Sequence, residues 1–385
     1  MTDIHEFDDI RPFLPEELPA VYDRLLADER FQGVMQTIHP EMQMEQMAAL
    51  IRSCATNQEF QLRIIYPLLQ SILAKASLGM TSDFTNINGN GYTFVSNHRD
   101  IVLDSALLDV NLFDAKLDSV EIAIGDNLLV YPWIKDLVRV NRSFIVQRAL
   151  TMRQMLMASA KMSRYMHYVI QEKQSNLWIA QREGRAKDSN DLTQDSVLKM
   201  MAMGGKSRDV IESLKEMNIV PLTISYEFDP CDYLKAEEFQ NKRDIADFKK
   251  SQKDDLDNMK IGIFGYKGHV HYHAAPCINQ WLDTIDPETP KTEIFRLVAE
   301  HIDHEIHSHY CIYPCNRAAM QLLDDAHTVD GQPLATPEEV AQFEAYIQKK
   351  MQMMTIEHPD LEYLRERMLT MYANPARNHM KAKKL

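Results

Sequence analysis

The chain has 385 residues, of which 45% are hydrophobic, and it carries a formal net charge of -14 at pH 7. A chain of this length can bury one large core or two modest ones, and we expect one main domain with a helical extension. The acidic balance argues against general nucleic-acid binding, because a surface that follows a phosphate backbone needs an excess of basic residues.

The ends of the chain and its cysteines indicate a cellular setting. The segment from Met1 to Glu6 is acidic and lacks an apolar core, so we predict no secretory signal. Apolar residues never run together for about 18 positions, so we expect no membrane-spanning helix. The five Cys residues form no Cys-x-x-Cys pair, which indicates reduced thiols. We therefore expect a cytoplasmic protein that is soluble or lies on the inner face of a membrane.

A basic stretch near the end of the chain provides one means of peripheral membrane contact. Its side chains would be attracted to anionic lipid headgroups at roughly 1 kcal/mol per charge. The residues are Arg377, Lys381, Lys383 and Lys384. A solvated chain end is the alternative interpretation of the same residues.

Helical spacing dominates residues 16–80. The apolar residues Leu62, Ile65, Leu69 and Ile72 recur at intervals of three and four positions. The Asn- and Gly-rich stretch 86–91 then breaks this pattern with turn chemistry. We therefore predict a helical amino-terminal region over 1–85 and a new domain from residue 86.

Strands and helices alternate from residue 92 onward. We predict strands near 92–96, 119–124, 143–147, 177–180 and 219–226. We predict helices from Asp104, over 127–138, from Ala149 to about Lys173, and near 195–203 and 207–217. This order implies an α/β fold over 86–290, in which helices cover a mixed, mostly parallel sheet.

The predicted helix from Ala149 carries a face rich in methionine. Its members are Met152, Met155, Met162 and Met166. We interpret this face as adaptable core packing, and contact with a variable acyl chain is the alternative.

The later part of the chain begins with a densely charged segment. Residues 235–260 read as a surface excursion, and two short strands over 261–264 and 269–273 read as a hairpin. From about residue 292 the pattern is helical, so we predict a helical carboxyl-terminal extension over 291–385.

A histidine and a carboxylate flank a short apolar turn after the first strand of the α/β region. The predicted strand ends before His98 and a helix begins at Asp104, so His98 should lie at a strand's carboxyl end, where ligand crevices form in open α/β sheets. An imidazole paired with a carboxylate can take the proton of a hydroxyl. A helix-capping Asp beside an incidental exposed His is the alternative.

Three further blocks come next in sequence order. The second is the strand 142–148, bracketed by Arg142 and Arg148 with Arg139 upstream. The third runs from Trp178 to Lys187, a strand that enters a basic loop with a glycine, and the fourth is 219–227, a strand that ends in a polar pair. Together the four blocks supply what a transfer onto a phosphorylated alcohol requires, namely a base and cations that bind phosphate.

Over residues 90–275 these blocks resemble the glycerolipid acyltransferase superfamily, which transfers fatty acyl groups from thioesters to glycerol 3-phosphate or its 1-acyl derivative. In that family the first block is His, four residues and Asp, and here Ser96-Asn97-His98-Arg99 fits its start. The family's Asp position is held by Leu103, so the partner of His98 is either Asp104, which we favour, or Asp100. In the family's Glu-Gly-x-Arg loop, the Arg position is held by Ala186.

The resemblance implies a glycerolphosphate acyltransferase-like fold and assigns roles to individual residues. It implies that His98 is the general base and that a group of cations holds the acceptor phosphate. These cations are Arg139, Arg142, Arg148, Arg182, Arg185 and Lys187. The other site residues that it implies are Asn97, Arg99, Glu183, Gly184 and Tyr226.

The resemblance also implies the partners. The donor would be acyl-CoA or acyl-carrier protein, used as a co-substrate without a cofactor or metal, and the acceptor would be glycerol 3-phosphate or 1-acylglycerol 3-phosphate in phospholipid synthesis. Neither sequence nor resemblance chooses the acceptor, the donor, the acyl length or the oligomeric state.

Other functions fit parts of the sequence. A catalytically inactive relative that binds lipid or acts as a scaffold is one alternative, supported by the shifted Asp, and an acyltransferase acting on another lysolipid is a second. A serine hydrolase using Ser96 or Ser105 lacks the Gly-x-Ser-x-Gly elbow. Histidines crowd residues 269–273 and 301–309, and we prefer solvated or structural roles for them over a zinc site.

Overall fold

A seven-stranded mixed sheet organises the part of the chain that the computed structural model describes, which is 2–38, 41–148, 151–324, 328–329 and 332–384. Its strands are β1 (Gly79–Asp83), β2 (Thr93–Ser96), β3 (Val120–Gly125), β4 (Ser143–Val146), β5 (Asn176–Ala180), β6 (Ile219–Tyr226) and β7 (His269–Ala274). The short strands β8 (Thr328–Val329) and β9 (Gln332–Pro333) pair separately.

The strand order is β1-β7-β6-β2-β5-β3-β4. Strands β6, β2, β5, β3 and β4 run parallel, whereas β7 is antiparallel to β6 and β1 is parallel to β7. Parallel strands end at the same edge of a sheet, so the segments after β2, β3, β4, β5 and β6 meet there. We call this the carboxyl edge.

Helices surround the sheet. Those up to the end of β4 are α1 (Leu18–Ala27), α2 (Glu29–Ile38), α3 (Met44–Arg52), α4 (Asn57–Phe60), α5 (Tyr66–Ala76), α6 (Leu103–Asp114) and α7 (Pro132–Val140). The later ones are α8 (Met152–Gln171), α9 (Asp195–Met201), α10 (Val210–Lys215), α11 (Asp232–Asp244), α12 (Gln252–Phe264), α13 (Asn279–Leu282), α14 (Lys291–Ser308), α15 (Pro314–Asp324), α16 (Pro337–Met351) and α17 (Leu361–Lys383). Single-turn 3₁₀ segments cover Ile4–Phe7, Pro15–Glu17, Asp126–Leu128 and Ala202–Gly204, and a π-helical segment covers Gln61–Ile65.

Alternation along the central strands divides the apolar residues between two cores. Phe94 of β2 and Trp178 of β5 point to the face covered by α6, whereas Val95 and Ile179 point to the face covered by α8, α9 and α14. Because β2 is buried over its whole length, its side chains leave the segment after Ser96 in a fixed position. The mixed, mostly parallel α/β sheet covered by helices is therefore confirmed.

The predicted helical region over 1–85 is wrong at its end. Residues Gly79–Asp83 form β1, an edge strand that pairs only with β7 in the sheet. This strand is short and mostly exposed or half-buried, so it lacks the apolar alternation that marks a strand in a sequence. The domain boundaries at residues 85 and 290 stay predictions.

The interpretation of residues 235–273 is corrected in part. Helices α11 and α12 occupy most of the charged segment, and most of its charges, such as Lys242, Lys249 and Lys253, are exposed at the surface, as predicted. The exceptions, Lys235, Glu237 and Glu238, are buried. Residues 261–264 end α12 rather than form a hairpin strand, and β7 pairs with β6 instead. A short apolar run such as Ile261 to Phe264 does not distinguish a strand from the end of a buried helix.

Helix α8 satisfies its prediction only in part. Its predicted start at Ala149 lies outside the described residues, and within α8 Met166 is fully buried, as core packing requires. Met152, by contrast, is 88% exposed, and Met155, Leu156 and Met157 are exposed as well.

None of the helices in the described ranges combines the length and apolar character that crossing a membrane requires.

Candidate active site

The centre of the candidate site is a hydrogen-bonded pair formed by His98 and Asp104. His98 comes two residues after the end of β2, and its Nδ1 lies 2.8 Å from Oδ2 of Asp104, in the first turn of α6. The same Oδ2 accepts the backbone N–H groups of Arg99 at 2.6 Å and of Asp100 at 3.1 Å. Asp104 is fully buried, whereas the His98 side chain keeps 14% of its surface exposed. The turn therefore fixes the carboxylate and leaves the imidazole accessible.

The geometry of this pair determines which ring nitrogen of His98 is hydrogen-bonded and which is left without a partner. A carboxylate only accepts hydrogen bonds, so the pairing places the proton of a neutral ring on Nδ1 and leaves the lone pair on Nε2. Within the described residues, Nε2 makes no hydrogen bond. His98 can therefore accept a proton from a bound hydroxyl.

Neighbouring strands hold the turn on both sides. The Trp178 ring on β5 lies edge-on to the His98 ring with centroids 5.7 Å apart, and its Nε1 donates to Ser96 Oγ at 3.0 Å. Asn97 donates to the carbonyl of Ile224 at 2.9 Å and accepts that residue's N–H at 2.8 Å. Asn97 thus extends the pairing of β2 with β6, and it supports the turn rather than facing the solvent.

Asp100, the alternative partner, has a different function in the structure. Its Oδ1 accepts the backbone N–H groups of Val102 at 2.9 Å and of Leu103 at 2.8 Å, so it closes the turn that leads into α6. Burial, together with repulsion from Asp104, raises the pKa of Asp100. Of the two carboxylates, the structure pairs Asp104 with His98.

A glycine on α12 provides the space for Asp100. A Cβ added at Gly262 would overlap Oδ2 of Asp100, which cannot rotate away without losing its two backbone hydrogen bonds. We expect Gly262→Ala to destabilise the protein by about 1–3 kcal/mol, although alanine usually stabilises a helix interior. The matched control is Gly33→Ala in α2, where no atom lies within 4 Å of the new Cβ. Denaturant unfolding checks this, and equal gains for both variants would contradict the contact.

Arg148 and the loop after β5 lie at the same edge as His98. Arg148 comes shortly after β4, is about one-third exposed, and donates to Glu183 Oε1 at 3.1 Å. Glu183 and Gly184 belong to the loop, and Gly184 adopts a left-handed φ of 68°, which favours glycine. The structure thus brings the ends of the second and third blocks together.

Two arginines of this loop carry buried donors that lack an acceptor. Arg185 donates to Oδ1 of Asn258 at 3.1 Å, but its Nη1 has no acceptor among the described residues, and neither does Nε of Arg182. Leaving a buried donor unpaired costs about 1–3 kcal/mol, so these groups are suited to an anion. Asn258 had no signal in the sequence, because it reaches the loop from α12.

Lys187 is already neutralised. Its ammonium lies 2.7 Å from Glu238 Oε1, and the same carboxylate contacts Lys242 and Lys250. Although burial opposes it, pairing with Lys187 and Lys242 lowers the pKa of Glu238 to about 2. Lys187 therefore holds α11 against the loop, and its charge is already compensated by Glu238.

The structure contradicts a phosphate-binding role for Arg139 and Arg142. Arg139 is buried on α7 and donates to the carbonyls of Arg11 and Asp8, both at 2.8 Å. Arg142 precedes β4, so it lies at the opposite edge of the parallel sheet, where its Nη1 donates to the Ser119 carbonyl at 3.1 Å and its hydroxyl at 2.7 Å. Both arginines serve structural hydrogen bonds away from His98.

A small cavity lies where β6 ends. It measures about 30 Å³ and is lined by Arg99, Tyr226, Asp229, Tyr310 and Tyr372 among others. Burial raises the pKa of Tyr226 well above its ordinary value, so its phenol stays protonated. A space of this size admits water-sized groups and excludes a fatty chain.

The loop over 181–194 is fastened to the carboxyl-terminal helices. Asp303 of α14 accepts the N–H of Thr193 at 2.8 Å and its hydroxyl at 2.6 Å. Asn374 of α17 donates to the Asp188 carbonyl at 2.8 Å. The predicted extension over 291–385 therefore shapes the candidate site, which sequence patterns did not reveal.

Asp303 makes this fastening sensitive to pH. Burial raises the pKa of Asp303 to about 6, although the two hydrogen bonds from Thr193 act to lower that pKa. An acid whose pKa is higher in the folded chain than its ordinary value of about 3.9 lowers stability as pH rises between those values. We expect Asp303→Asn to raise the free energy of unfolding by about 2–3 kcal/mol at pH 8 and by progressively less below pH 6.

The measurement is denaturant unfolding of wild type and variant at several pH values. Both hydrogen bonds from Thr193 go to one oxygen, which asparagine retains, so the fastening itself is preserved. The exposed Asp257→Asn on α12 is the control, with an expected effect within about 0.5 kcal/mol at either pH. A pH-independent effect of Asp303→Asn would contradict the assignment.

The histidine-rich segments pack against other side chains. His273 of β7 stacks on His309 with centroids 3.9 Å apart, and His301 of α14 stacks on Trp281 at the same separation. Within the described ranges, no group of three or more His, Cys, Asp or Glu side chains is arranged to hold a metal ion.

The basic stretch near the chain end belongs to α17. Arg377 donates through Nε to Oδ2 of Asp324 at 3.2 Å, and Lys383 is the last residue of the helix. Ala382 is buried. The helix is therefore held at Arg377 and Ala382, whereas Lys381, Lys383 and Lys384 are exposed.

Comparison with known proteins gives little beyond this geometry. No family model and no curated protein matches the sequence. Among solved structures, the 1-acyl-sn-glycerophosphate (LPA) acyltransferase PlsC from Thermotoga maritima is similar over 74% of this chain and 98% of its own, with 9% sequence identity and a TM-score of 0.33. Because a TM-score this low supports no inference about function, any functional assignment rests on the residues of the chain itself.

Proposed function

We propose that this chain is an O-acyltransferase that moves a fatty acyl group from an acyl thioester to a hydroxyl of glycerol 3-phosphate or 1-acylglycerol 3-phosphate. The observation that carries this proposal is the position of His98 at the carboxyl edge, with Nδ1 held by Asp104 and Nε2 open. The unpaired donors of Arg182 and Arg185 in the loop of the adjacent strand support it.

The reaction needs one proton relay and no acyl-enzyme. His98 Nε2 accepts the hydroxyl proton as the alcohol oxygen attacks the thioester carbonyl carbon. Asp104 holds the ring orientation and stabilises the imidazolium that forms. When the tetrahedral intermediate collapses, the carbon–sulfur bond breaks and the imidazolium returns the proton to the leaving thiolate. The products are an ester and a free thiol, and His98 is neutral again.

The acceptor phosphate is assigned to the loop after β5. Arg182 and Arg185 offer buried N–H groups. Arg148 offers a partly exposed guanidinium, which would bind the phosphate in place of its present partner Glu183. Charge-assisted bonds from arginine are short and can be bidentate, which fixes the acceptor's orientation.

The exposed apolar residues at the start of α8 support contact with a fatty chain or a membrane-held acceptor. Met152, Met155, Leu156 and Met157 occupy its first two turns, shortly after β4 ends at the carboxyl edge. Methionine adapts to chains of different shape, and each buried methylene contributes roughly 0.8 kcal/mol. We also assign a peripheral attachment to an anionic cytoplasmic membrane surface to the basic stretch at the end of α17, whose Lys381, Lys383 and Lys384 are exposed.

The test is thiol release by the purified chain with acyl-CoA or acyl-carrier protein. We expect release that depends on glycerol 3-phosphate or 1-acylglycerol 3-phosphate, with the corresponding ester identified by mass spectrometry. Binding of thioester without release would instead indicate a catalytically inactive lipid-binding or scaffolding relative. Release that ignores every acceptor would indicate a hydrolase, and transfer to other lysolipids alone would redirect the acceptor assignment.

A further inference from the structure

Arg99 connects the His98 turn to a distant part of the chain. Its backbone N–H donates to the Asp104 carboxylate at 2.6 Å, so its main chain helps to position the partner of His98. Its buried guanidinium lies 2.7 Å from Oδ2 of Asp191, in the loop after β5. One residue therefore joins two parts of the candidate site.

Asp191 is in turn held by the carboxyl-terminal extension. Its Oδ2 accepts the hydroxyl of Tyr310 at 2.7 Å, and its backbone oxygen lies 2.7 Å from Nε2 of His307. The guanidinium of Arg99 lies over the Tyr310 ring, with its carbon 5.5 Å from the centroid. Burial and the charge of Asp191 raise the pKa of Tyr310 well above its ordinary value, so its hydroxyl stays protonated and donates.

These contacts form a continuous connection from the extension to His98. It runs from Tyr310, just after α14, through Asp191 and the Arg99 side chain to the Arg99 backbone and Asp104. A shift of Arg99 displaces the carboxylate that orients the imidazole, and misplacement by about 1 Å can cost a hundredfold in rate.

We propose that the carboxyl-terminal extension positions the candidate catalytic turn through Tyr310, Asp191 and Arg99. These are positioning residues, since none is required to touch the reacting atoms, and the inference rests on the function proposed above. It gives the extension a role inside the active site instead of a separate partner-binding role.

Tyr310→Phe is the sharpest variant, because it removes one hydroxyl and keeps both the aromatic packing and the buried pair of Arg99 with Asp191. We expect kcat to fall about tenfold with little change in KM for the thioester, as expected when geometry rather than binding is lost. Tyr363→Phe on α17 is the matched control, since its hydroxyl makes no hydrogen bond within the described residues and its ring lies against Arg243. We expect it to leave kcat unchanged.

A double variant separates positioning from a general loss of structure. If Tyr310 acts through His98, the double variant should have the same residual rate as His98→Ala alone. An equal fractional loss in both backgrounds, or a Tyr310→Phe kcat within twofold of wild type, would overturn the proposal. Should the Tyr310 variant not fold, His307→Ala removes the bond from α14 to the Asp191 backbone oxygen and leaves the pair of Arg99 with Asp191 in place, and we expect about a threefold fall in kcat. An unchanged kcat there overturns it equally.

A measurement without turnover distinguishes this inference from the proposed function. The ring ¹⁵N–¹H signals of His98 are those that disappear in His98→Ala, and Tyr310→Phe should shift them whereas Tyr363→Phe should not. If the wild-type protein transfers no acyl group but Tyr310→Phe still shifts the His98 signals, positioning is supported and the proposed function is overturned. Turnover that needs His98, together with unshifted signals and unchanged kcat in Tyr310→Phe, would overturn positioning alone.

Discussion

Replacement of His98 by alanine should abolish most acyl transfer. The variant loses the Nε2 lone pair that accepts the hydroxyl proton, and general base catalysis contributes about 10²–10⁴-fold to such reactions. We expect acceptor-dependent thiol release to fall by that factor at neutral pH. The unfolding midpoint is measured alongside, because truncation also removes one of the three hydrogen bonds that the buried Asp104 accepts.

His304→Ala on α14 is the matched control for this variant. His304 is also partly exposed, and its side chain has no hydrogen-bond partner among the described residues. We expect wild-type turnover from it. A His98→Ala variant that stays folded and retains more than about a tenth of wild-type turnover would be incompatible with a general base that contributes at least 10²-fold.

The position of His98 was open to prediction because it depends on short-range chemistry. The strand before it is apolar, the helix after it starts near an aspartate, and strand ends in such sheets form crevices. The partner was harder to identify, since Asp100 and Asp104 both lie within one turn. The structure separates them by hydrogen bonding, because Asp100 is occupied by the N–H groups of Val102 and Leu103.

Arg139 and Arg142 show where the sequence interpretation failed. Both are close in sequence to β4, but closeness in sequence does not imply membership of the site. Residues before a parallel strand lie at the edge opposite those that come after it, so Arg148 and Arg142 are separated by the length of β4. Strand direction alone would have excluded Arg142.

No short-range sequence pattern like the one around His98 indicated the connection through Asp191 and Tyr310. Arg99, Asp191 and Tyr310 are separated by about 90 and 120 positions, and no spacing rule relates them. Burial of a charged pair requires that both charges find partners, but only the assembled fold shows which ones. The same limit applies to Asn258, which reaches Arg185 from α12.

Asp104→Asn should have the second-largest effect on turnover. Oδ2 of Asp104 accepts three hydrogen bonds, from His98 and from the backbone of Arg99 and Asp100, and the single amide oxygen of asparagine can take that place. The ring orientation would then survive, but the negative charge that stabilises the imidazolium would be lost. We expect kcat to fall at least about 10²-fold, measured by thiol release, while the protein stays folded.

Asp100→Asn is the control that gives this result its meaning. The asparagine oxygen can still accept from Val102 and Leu103, and the substitution removes a carboxyl whose charged form is disfavoured by burial and by Asp104. We expect its turnover to stay within about threefold of wild type, because the group does not touch the His98 ring. If Asp100→Asn lost as much activity as Asp104→Asn, the relay would have to run through Asp100. If neither variant lost activity, His98 would need no carboxylate, and the shifted aspartate would be only the first-turn residue of a helix.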